Sequence, residues 1–484
     1  MRELLLGYGT FAMYYVMAVT LIYFTILFFS YKGVYSMIKG AVYSRFRSLS
    51  GSESAPPVSL LVPAYNEELT IIENVKSLLT LNYHTYEVIV VNDGSKDRTL
   101  QVLIEAFQLV PKEDETVRYA IECTPIRQVY YNPAYPNLYV VDKPNGGKAD
   151  SLNAGINLSH YPLISSIDAD SLLEKDALIR MARVYMENPA ETVAIGGNVR
   201  IANGCSIRDG VVTDVRLPRK MWPMFQTLEY MKAFLGGRIG WSHINGLIIV
   251  SGAFGMFRKS SVVEVGGYRD GYPGEDMNII IKLHRHMLEN KLPYRVAYCP
   301  DAVCWTQAPD TYRILSSQRK RWGRGNLKNM LENRDMLLRP KYKVFGMLTM
   351  PYNVIFETLN PYFKLTGLLA LIGYVAMDMT QWRVLLTFAL INFLNGYVMA
   401  VGSLVLEEMA FRRYTRMKDL VKMTVFSALM FLGYYQLGVL WRLQGHIEFL
   451  RKNNSWGVMT RQSWNQEAPA VNNPSTVTTG GKIA

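Results

Sequence analysis

An uncharged stretch at residues 4–31 constrains the fold of this chain more than any other feature of its sequence. It is longer than the apolar part of a secretory signal peptide, and it is long enough to cross a bilayer as a helix. Four basic residues follow it closely: Lys32, Lys39, Arg45 and Arg47. Because such residues favour the cytoplasmic side, residues 1–48 are predicted to be an anchor with an external N-terminus.

The region at residues 338–445 is also apolar and predicts interfacial and transmembrane helices. Residues 384–406 and 423–440 are uncharged and long enough to cross, whereas residues 344–356 contain a proline and suit an interfacial helix. Basic residues favour the cytoplasm both for the loop after 406 and for the tail at 446–484. Both can be cytoplasmic only if another segment crosses or the last one is re-entrant. We predict a cytoplasmic tail and leave the number of crossings open.

Residues 56–337, between the two apolar regions, have the pattern of a cytoplasmic α/β domain. Apolar runs such as "VSLLVPAYNE" and "YEVIVVNDGSKD" end in polar turns and are followed by helical patterns. This alternation predicts a sheet, rich in parallel strands, between helices. Ligands of such sheets bind beyond the carboxyl ends of the strands. The candidate binding residues at those ends are Glu67, Asp93, Lys148, Asp168 and Asp170.

Asp168 and Asp170 follow an apolar strand as an Asp-x-Asp pair. Side chains two apart in extended backbone point the same way, so both carboxylates can face one cation. Such oxygen ligands suit Mg²⁺ or Mn²⁺, with phosphate oxygens completing the shell. The alternative is that Asp170 or Ser171 caps the next helix. Asp93, at the end of an earlier strand, favours the metal site.

Two predicted helix starts carry residues that can bind a ligand or take part in catalysis. Gly146 and Gly147 precede Lys148, so backbone N–H groups and an ammonium can meet a phosphate, although an ordinary glycine turn looks the same. Glu275 and Asp276 open a later helix. They supply either a general base or acidic residues that stabilise the helix dipole.

The histidines, cysteines and net charge narrow the choice of partners. His284 and His286 lie two apart on one predicted helix and are interpreted as surface residues rather than metal ligands. The cysteines are not spaced along the chain as metal ligands are, and they are interpreted as reduced thiols. The net charge of +12 fits anionic lipid or anionic substrates. We expect no nucleic-acid partner.

The stretch "QRKRW" places a tryptophan inside a basic helix just before the second apolar region. Gln318, Arg321 and Trp322 are at positions i, i+3 and i+4 and therefore share one helix face. An arginine can hold a diphosphate through two N–H groups, and a tryptophan ring can stack on the apolar face of a sugar. The helix is thus predicted to combine an anion site with a carbohydrate platform.

The ordered set "PAYNE", "NDGS", "GGKADSLN", "DAD", "SGAFGMFR", "GED" and "QRKRW" resembles the membrane-embedded family 2 glycosyltransferases. That group includes the cellulose, chitin, hyaluronan and poly-N-acetylglucosamine synthases. The resemblance covers residues 58–322 and continues into the membrane part. It implies a GT-A fold, a UDP-sugar donor and Mg²⁺ or Mn²⁺ as cofactor.

The resemblance also implies a role for each motif residue. Asp276, in its pair with Glu275, is the catalytic base, and Asp170 is the metal ligand. Residues implied to bind the nucleotide sugar are Tyr65, Glu67, Asp93, Lys148, Asp168 and Arg321. Residues implied to bind the acceptor are Ser251, Gln318 and Trp322. The stretch "SWGVMTR" is similar to the gating motif of hyaluronan and chitin synthases but departs from its spacing; its gating residues are Trp456, Thr460 and Arg461.

These likenesses imply a processive, inverting β-glycosyltransferase, multi-pass in the plasma membrane. It polymerises a UDP-sugar, UDP-N-acetylglucosamine or a related UDP-hexose, into an extracellular polysaccharide and moves it outward. The implied partners are the UDP-sugar donor, the growing polysaccharide acceptor, membrane lipids, and an accessory export subunit or a second copy of the chain.

Two alternatives stay open. A non-processive transferase would load one sugar onto a lipid carrier, but such enzymes usually lack "GED" together with "QRKRW". A catalytically inactive export or regulatory subunit would have a broken set of aspartates, whereas all four are intact here: Asp93, Asp168, Asp170 and Asp276.

Overall fold

The computed structural model of the protein describes residues 2–43, 55–113, 117–377, 382–452 and Trp464. Its α-helices are α1 (Arg2–Tyr43), α2 (Ile71–Leu79), α3 (Thr99–Phe107), α4 (Lys148–Leu158), α5 (Ala177–Glu187), α6 (Met221–Met231), α7 (Ile239–His243), α8 (Lys259–Glu264), α9 (Glu275–Glu289), α10 (Tyr312–Glu332), α11 (Met350–Tyr352), α12 (Asn360–Ala376), α13 (Trp382–Ala410), α14 (Met417–Leu429) and α15 (Tyr434–Leu450). Its strands are β1 (Val58–Ala64), β2 (Tyr86–Asp93), β3 (Val110–Pro111), β4 (Gln128–Tyr131), β5 (Leu138–Lys143), β6 (Leu163–Ile167), β7 (Ser171–Leu173), β8 (Thr192–Ile201), β9 (Ser206–Arg208), β10 (Val211–Asp214), β11 (Phe254–Arg258) and β12 (Arg295–Thr306). Segments of π-helix occupy Lys232–Arg238, Phe345–Thr349 and Asn353–Thr358.

One mixed sheet organises the α/β domain, with strand order β3-β4-β5-β2-β1-β6-β11-β8-β12-β7. The central strands β5, β2, β1 and β6 are parallel, whereas β11 is antiparallel to both of its neighbours. β1 and β2 are buried along almost their whole length, as expected for strands covered on both faces. The covering helices are amphipathic: α2 buries Ile71, Val75 and Leu78, which lie on one face. The predicted α/β domain is confirmed.

The chain after the Asp-x-Asp pair differs from the predicted order of strand, turn and helix. Ser171–Leu173 forms β7, which pairs antiparallel with β12, and α5 begins only at Ala177. The alternative in which Asp170 or Ser171 caps the next helix is therefore wrong. The short strand continues the sheet instead, because its side chains are buried against the domain core.

His284 is a buried residue, so its interpretation as a surface residue is wrong. Its Nε2 donates to the carbonyl oxygen of Leu247 at 2.9 Å, and its ring stacks on Phe345 with centroids 4.0 Å apart. Burial lowers the pKa of His284 to about 4, so the ring is neutral at pH 7. The segment that covers it lies about sixty positions further along the chain, which periodicity on α9 alone cannot reveal.

Two helices of the described part are long and apolar enough to cross a membrane, Gly7–Lys39 and Ala389–Ala410. A third candidate is the bent pair Met417–Leu432 and Tyr434–Leu450, with a bend of 50°. The shorter α12 lies antiparallel to the first half of α1. The hydroxyl of Tyr8 donates to the carbonyl oxygen of Phe363 at 2.7 Å, and that of Tyr374 donates to the carbonyl oxygen of Leu5 at 2.8 Å.

The bent pair α14–α15 contacts the α/β domain near both of its ends. Lys422 in α14 donates to the carbonyl oxygen of Pro218 at 3.1 Å, and Glu448 in α15 pairs with Lys320 at 3.5 Å. The chain therefore leaves α15 beside the α/β domain. Trp464, further along, is buried in a cluster of side chains from that domain.

A buried ion pair joins the sheet to α13. Both terminal nitrogens of Arg200 in β8 donate to Glu407, at 2.8 and 2.6 Å, and the two side chains are 6% and 0% exposed. Removing one partner from such a pair leaves an uncompensated buried charge and costs about 3–5 kcal/mol. α13 is thus held in a defined position relative to the sheet.

Candidate active site

A cavity of about 1760 Å³ connects the strand ends of the α/β domain with the apolar helices α1 and α13. Tyr23 of α1 and Asn395 of α13 line it at the membrane end. All the site residues predicted from sequence and described in the structure line it: Tyr65, Glu67, Asp93, Lys148, Asp168, Asp170, Ser251, Glu275, Asp276, Gln318, Arg321 and Trp322. The predicted gating residues Trp456, Thr460 and Arg461 lie outside the described residues.

Asp93, at the end of β2, holds the glycine loop in place. One carboxylate oxygen accepts the N–H of Gly146 at 2.9 Å, and the other accepts the N–H of Gly147 at 2.8 Å. Gly147 has φ of +92°, a conformation that favours glycine. The loop conformation, and with it the start of α4, therefore depends on the Asp93 carboxylate.

Lys143 is a site residue that the sequence analysis missed. It is fully buried, and its ammonium lies 2.5 Å from Asp93 and 2.6 Å from Asp150. The two carboxylates balance a charge that would otherwise be very unfavourable in the domain interior. A lysine at the end of an apolar strand is the signal that points to such a pair.

Lys148, the first residue of α4, joins two groups of carboxylates. Its ammonium lies 2.5 Å from Asp168 and 3.7 Å from Glu275. Burial alone would lower the pKa of Lys148, but the carboxylates of Asp168, Glu275 and Asp276 outweigh burial and hold that pKa above its ordinary value. Lys148 is therefore charged, and it links the Asp-x-Asp pair to the acidic start of α9.

Asp170, which is 7% exposed, is the second carboxylate at the end of β6. Among the described residues, no group of three or more His, Cys, Asp and Glu side chains could hold a metal ion. Mg²⁺ needs no such group, because it is usually held by one or two carboxylates together with substrate phosphates. Asp170, beside a diphosphate, fits Mg²⁺ or Mn²⁺ as an oxygen ligand.

Asp276, the second residue of α9, has the properties of a proton acceptor. One carboxylate oxygen accepts the N–H of Met277 at 2.9 Å, and the other accepts that of Gly252 at 3.4 Å. Burial, followed by the charge of Glu275, raises the pKa of Asp276 to about 6. The group is ionised at pH 7 and is a stronger base than an ordinary aspartate.

The basic helix α10 presents Trp322 to the cavity. Its side chain is 44% exposed, and the guanidinium of Arg319 lies 4.1 Å from the ring centroid. Arg319 itself pairs with Glu229 at 2.6 Å. Sequence spacing did not single out Arg319 as the residue that braces the ring. Gln318 and Arg321 line the same cavity.

The membrane end of the cavity has polar groups that the sequence analysis also missed. The guanidinium of Arg442 in α15 donates to Glu357 at 3.0 Å, and the amide of Asn395 donates to Thr20 at 2.6 Å. Polar residues inside apolar helices usually face a bundle interior or a water-filled cavity, and they could have indicated this lining.

A mixed α/β sheet with acidic strand ends, opening into a cavity beside a second acidic pair, defines a GT-A-type transferase. Residues 163–435, more than half of the chain, match the family described as Glycosyl transferase family group 2, and residues 59–261 match Glycosyl transferase family 2. The chain belongs to the family 2 glycosyltransferases.

Individual relatives narrow the comparison. Over 310 residues the chain is 30% identical to the poly-beta-1,6-N-acetyl-D-glucosamine synthase of Staphylococcus aureus (strain COL), covering 64% of this chain and 63% of that protein. The synthase of the same name from Staphylococcus epidermidis is 28% identical over 300 residues, 62% of each chain. The matches thus span less than two thirds of these relatives.

A solved structure supports the fold. The mannosyltransferase of Pyrobaculum calidifontis, in complex with GDP-Man and Mn²⁺, superimposes with a TM-score of 0.51 at 17% identity. The match covers 91% of this chain and 99% of that one. At this identity the likeness concerns the fold alone.

Proposed function

We propose that the protein is an inverting, processive glycosyltransferase of the plasma membrane. It would build a cell-surface polysaccharide from a UDP-sugar and pass the polymer through its own membrane helices. The observation that carries this proposal is the cavity that runs from the acidic strand ends, past Asp276 and Trp322, to α1 and α13. The similarity to the staphylococcal poly-beta-1,6-N-acetyl-D-glucosamine synthases makes UDP-N-acetylglucosamine the first candidate donor.

The donor binds across the strand ends in this proposal. Tyr65 and Glu67 hold the nucleotide together with the loop that Asp93 organises. Lys148 and Arg321 stabilise the negative charge that develops on the departing UDP. A divalent cation held by Asp170 and diphosphate oxygens would neutralise further charge there.

The acceptor binds on the other side of the reacting carbon. Asp276 accepts the proton of the acceptor hydroxyl as the oxygen attacks the anomeric carbon, opposite the departing UDP, so that the configuration inverts. Glu275 keeps the pKa of this base high. Trp322 stacks on the acceptor sugar, and Ser251 and Gln318 complete its site.

The decisive experiment incubates membranes that contain the full chain with labelled UDP-sugars, one at a time, and sizes the product. We expect long polymer from UDP-N-acetylglucosamine and none in excess chelator. Addition of a single sugar to lipid would replace this proposal with the lipid-carrier alternative. Absence of transfer from every donor would favour the inactive export or regulatory subunit.

The proposal places the α/β domain and the chain after α15 in the cytoplasm, where nucleotide sugars are made. The basic residues after α1 support this orientation. A cysteine at position 452, with Cys123 and Cys205 changed to serine, should resist a membrane-impermeant thiol reagent in intact cells and react after lysis. Labelling in intact cells would refute the orientation.

A further inference from the structure

The cavity that holds the acidic pair on α9 is also lined by the π-helical segment Lys232–Arg238. This segment is held against α1, because Ser30 donates to the carbonyl oxygen of Gly236 at 3.3 Å and accepts the N–H of Gly240 at 3.0 Å. Short π-helical segments are rare and often mark functional sites. Their wider turn redirects the side chains that follow.

Arg238 ends this segment and lines the cavity. Its guanidinium lies 3.8 Å from the centroid of Phe234, and its Nη1 is buried with no hydrogen-bond partner in the described part of the chain. A buried cationic donor without a partner is unfavourable, and native structures contain few of them. The other guanidinium nitrogens of Arg238 also form no hydrogen bond with the described residues, but unlike Nη1 they are not closed off, so a ligand in the cavity can accept from them.

Other buried arginines with an unsatisfied nitrogen differ from Arg238 in one respect. Arg200 pairs with Glu407, and Arg319 pairs with Glu229. No carboxylate of the described residues forms such a pair with Arg238. Its guanidinium is thus charged and held by a ring contact, with an N–H group left over for a ligand.

The charge of Arg238 also reaches the base. The charged groups that face Asp276 are Glu275 beside it, Lys148 from α4 and Arg238 from the π-helical segment. Lys148 and Arg238 lower the pKa of Asp276, against burial and Glu275, which raise it. The other titratable groups whose charge acts on Arg238 are Tyr298 of β12 and Tyr230 of α6.

We propose that Arg238 binds the acceptor: its guanidinium donates to an oxygen of the sugar next to the one that receives the transfer. This rests on the proposed function and adds a subsite between Asp276 and the membrane passage. The oxygen belongs to a neutral group, a hydroxyl or an amide carbonyl, because Asp276 and Glu275 already supply negative charge nearby. The same guanidinium helps to keep Asp276 ionised.

The test compares Arg238→Gln and Arg238→Lys with the control Arg258→Gln. Arg258 donates to the carbonyl oxygens of Pro189, Ala190 and Thr192, and it does not line the cavity. For each purified full-length variant, the measurements are transfer from UDP-N-acetylglucosamine to glycan, hydrolysis of the same donor by water, UDP affinity, and the pH–rate profile.

Arg238→Gln should lower transfer to glycan about 10- to 150-fold at a pH where the base is ionised, the usual worth of a hydrogen bond to a charged group. Hydrolysis by water and UDP affinity should be retained. The acidic limb of the pH–rate profile should move to higher pH. Arg238→Lys keeps the positive charge, so the acidic limb of the pH–rate profile should stay in place. Transfer should still fall in part, because an ammonium lacks the planar set of N–H donors of a guanidinium.

Two results would overturn the inference. The first is that transfer to glycan persists in Arg238→Gln. The second is that transfer, hydrolysis and UDP affinity fall together, as expected if Arg238 only supports the fold of the site. Arg258→Gln is expected to lower the melting temperature without changing the ratio of transfer to hydrolysis. If the unmodified chain neither transfers nor hydrolyses the donor, the proposed function fails first and the subsite fails with it.

Discussion

The two ends of the cavity are built differently. At the donor end, the shortest ion pairs join residues a short way apart along the chain: Lys143 with Asp93, 50 positions apart, and Lys148 with Asp168, 20 positions apart. At the membrane end, Asn395 reaches Thr20 across 375 positions. The donor end is thus assembled within the sheet, whereas the passage exists only once α1 and the later helices have packed together.

The two ends also differ in how much their contacts contribute to stability. The ion pairs of Lys143 at the donor end are buried, so the loss of one partner leaves a charge in a medium of low polarity. The pair of Asn395 and Thr20 is neutral, and interhelical hydrogen bonds in membranes contribute only about 0.6 kcal/mol on average. Damage to the donor end should therefore be severe, and damage to the passage lining mild.

The largest effect is expected for the base. Asp276→Asn removes the proton acceptor but keeps the shape of the side chain, so transfer should fall about 10²- to 10⁴-fold. UDP affinity should be retained, because Asp276 faces the acceptor. Transfer rates and UDP binding on purified protein test this, with Asp214→Asn on the β9–β10 hairpin as the matched control.

The pH dependence of the unmodified chain checks the same assignment. The pKa of Asp276 is raised to about 6. The protonated carboxyl cannot accept a proton, so transfer should rise with pH through about 6 and then level off. A rate that stays constant down to pH 4 would contradict the role of Asp276.

The buried lysine of the donor end comes next. Lys143→Met leaves the carboxylates of Asp93 and Asp150 without their cation, which should destabilise the domain by about 3–5 kcal/mol. UDP affinity should fall as well, because the glycine loop loses its support. Lys76→Met removes a partly exposed pair with Glu73 and should change stability by less than about 1 kcal/mol. Equal melting temperatures for the two variants would show that Lys143 has no special role.

The boundary between the two ends is tested at Trp322. Loss of a stacking platform costs about 1–3 kcal/mol, by analogy with ring stacking on bases, or roughly 5- to 150-fold in acceptor affinity. Trp322→Ala should therefore shorten or abolish the polymer while UDP still binds, and Trp322→Phe should restore part of it. If Trp322→Ala instead lowers the melting temperature and UDP affinity together, the ring serves packing.

The smallest effect is expected in the passage lining. Asn395→Ala should lower stability by about 0.6 kcal/mol and leave UDP affinity unchanged. A double-mutant cycle with Thr20→Val, followed by melting temperature, isolates the contact. A coupling several times larger would mean that the passage end is as tightly built as the donor end.

Much of the donor end could be predicted from local patterns. Strand-end carboxylates, the glycine loop and the acidic start of α9 are short motifs on regular elements, and strand geometry brings them to one edge of a sheet. The twelve site residues predicted from sequence and described in the structure, those for the acceptor included, line a common cavity. Long uncharged stretches likewise predicted helices that could cross a membrane, and α1 and α13 are long and apolar enough to do so.

Other properties depend on partners that are distant in the chain. Periodicity could not show that Phe345 covers His284, that Glu407 meets Arg200, or that α14 and α15 end beside the α/β domain. The raised pKa of Asp276 is of the same kind, because burial comes from surrounding elements. Residue type and local spacing thus determine which groups can do chemistry. Packing between distant segments decides which of them are buried, paired or left open to a ligand, since burial and Coulomb energy depend on distance in space.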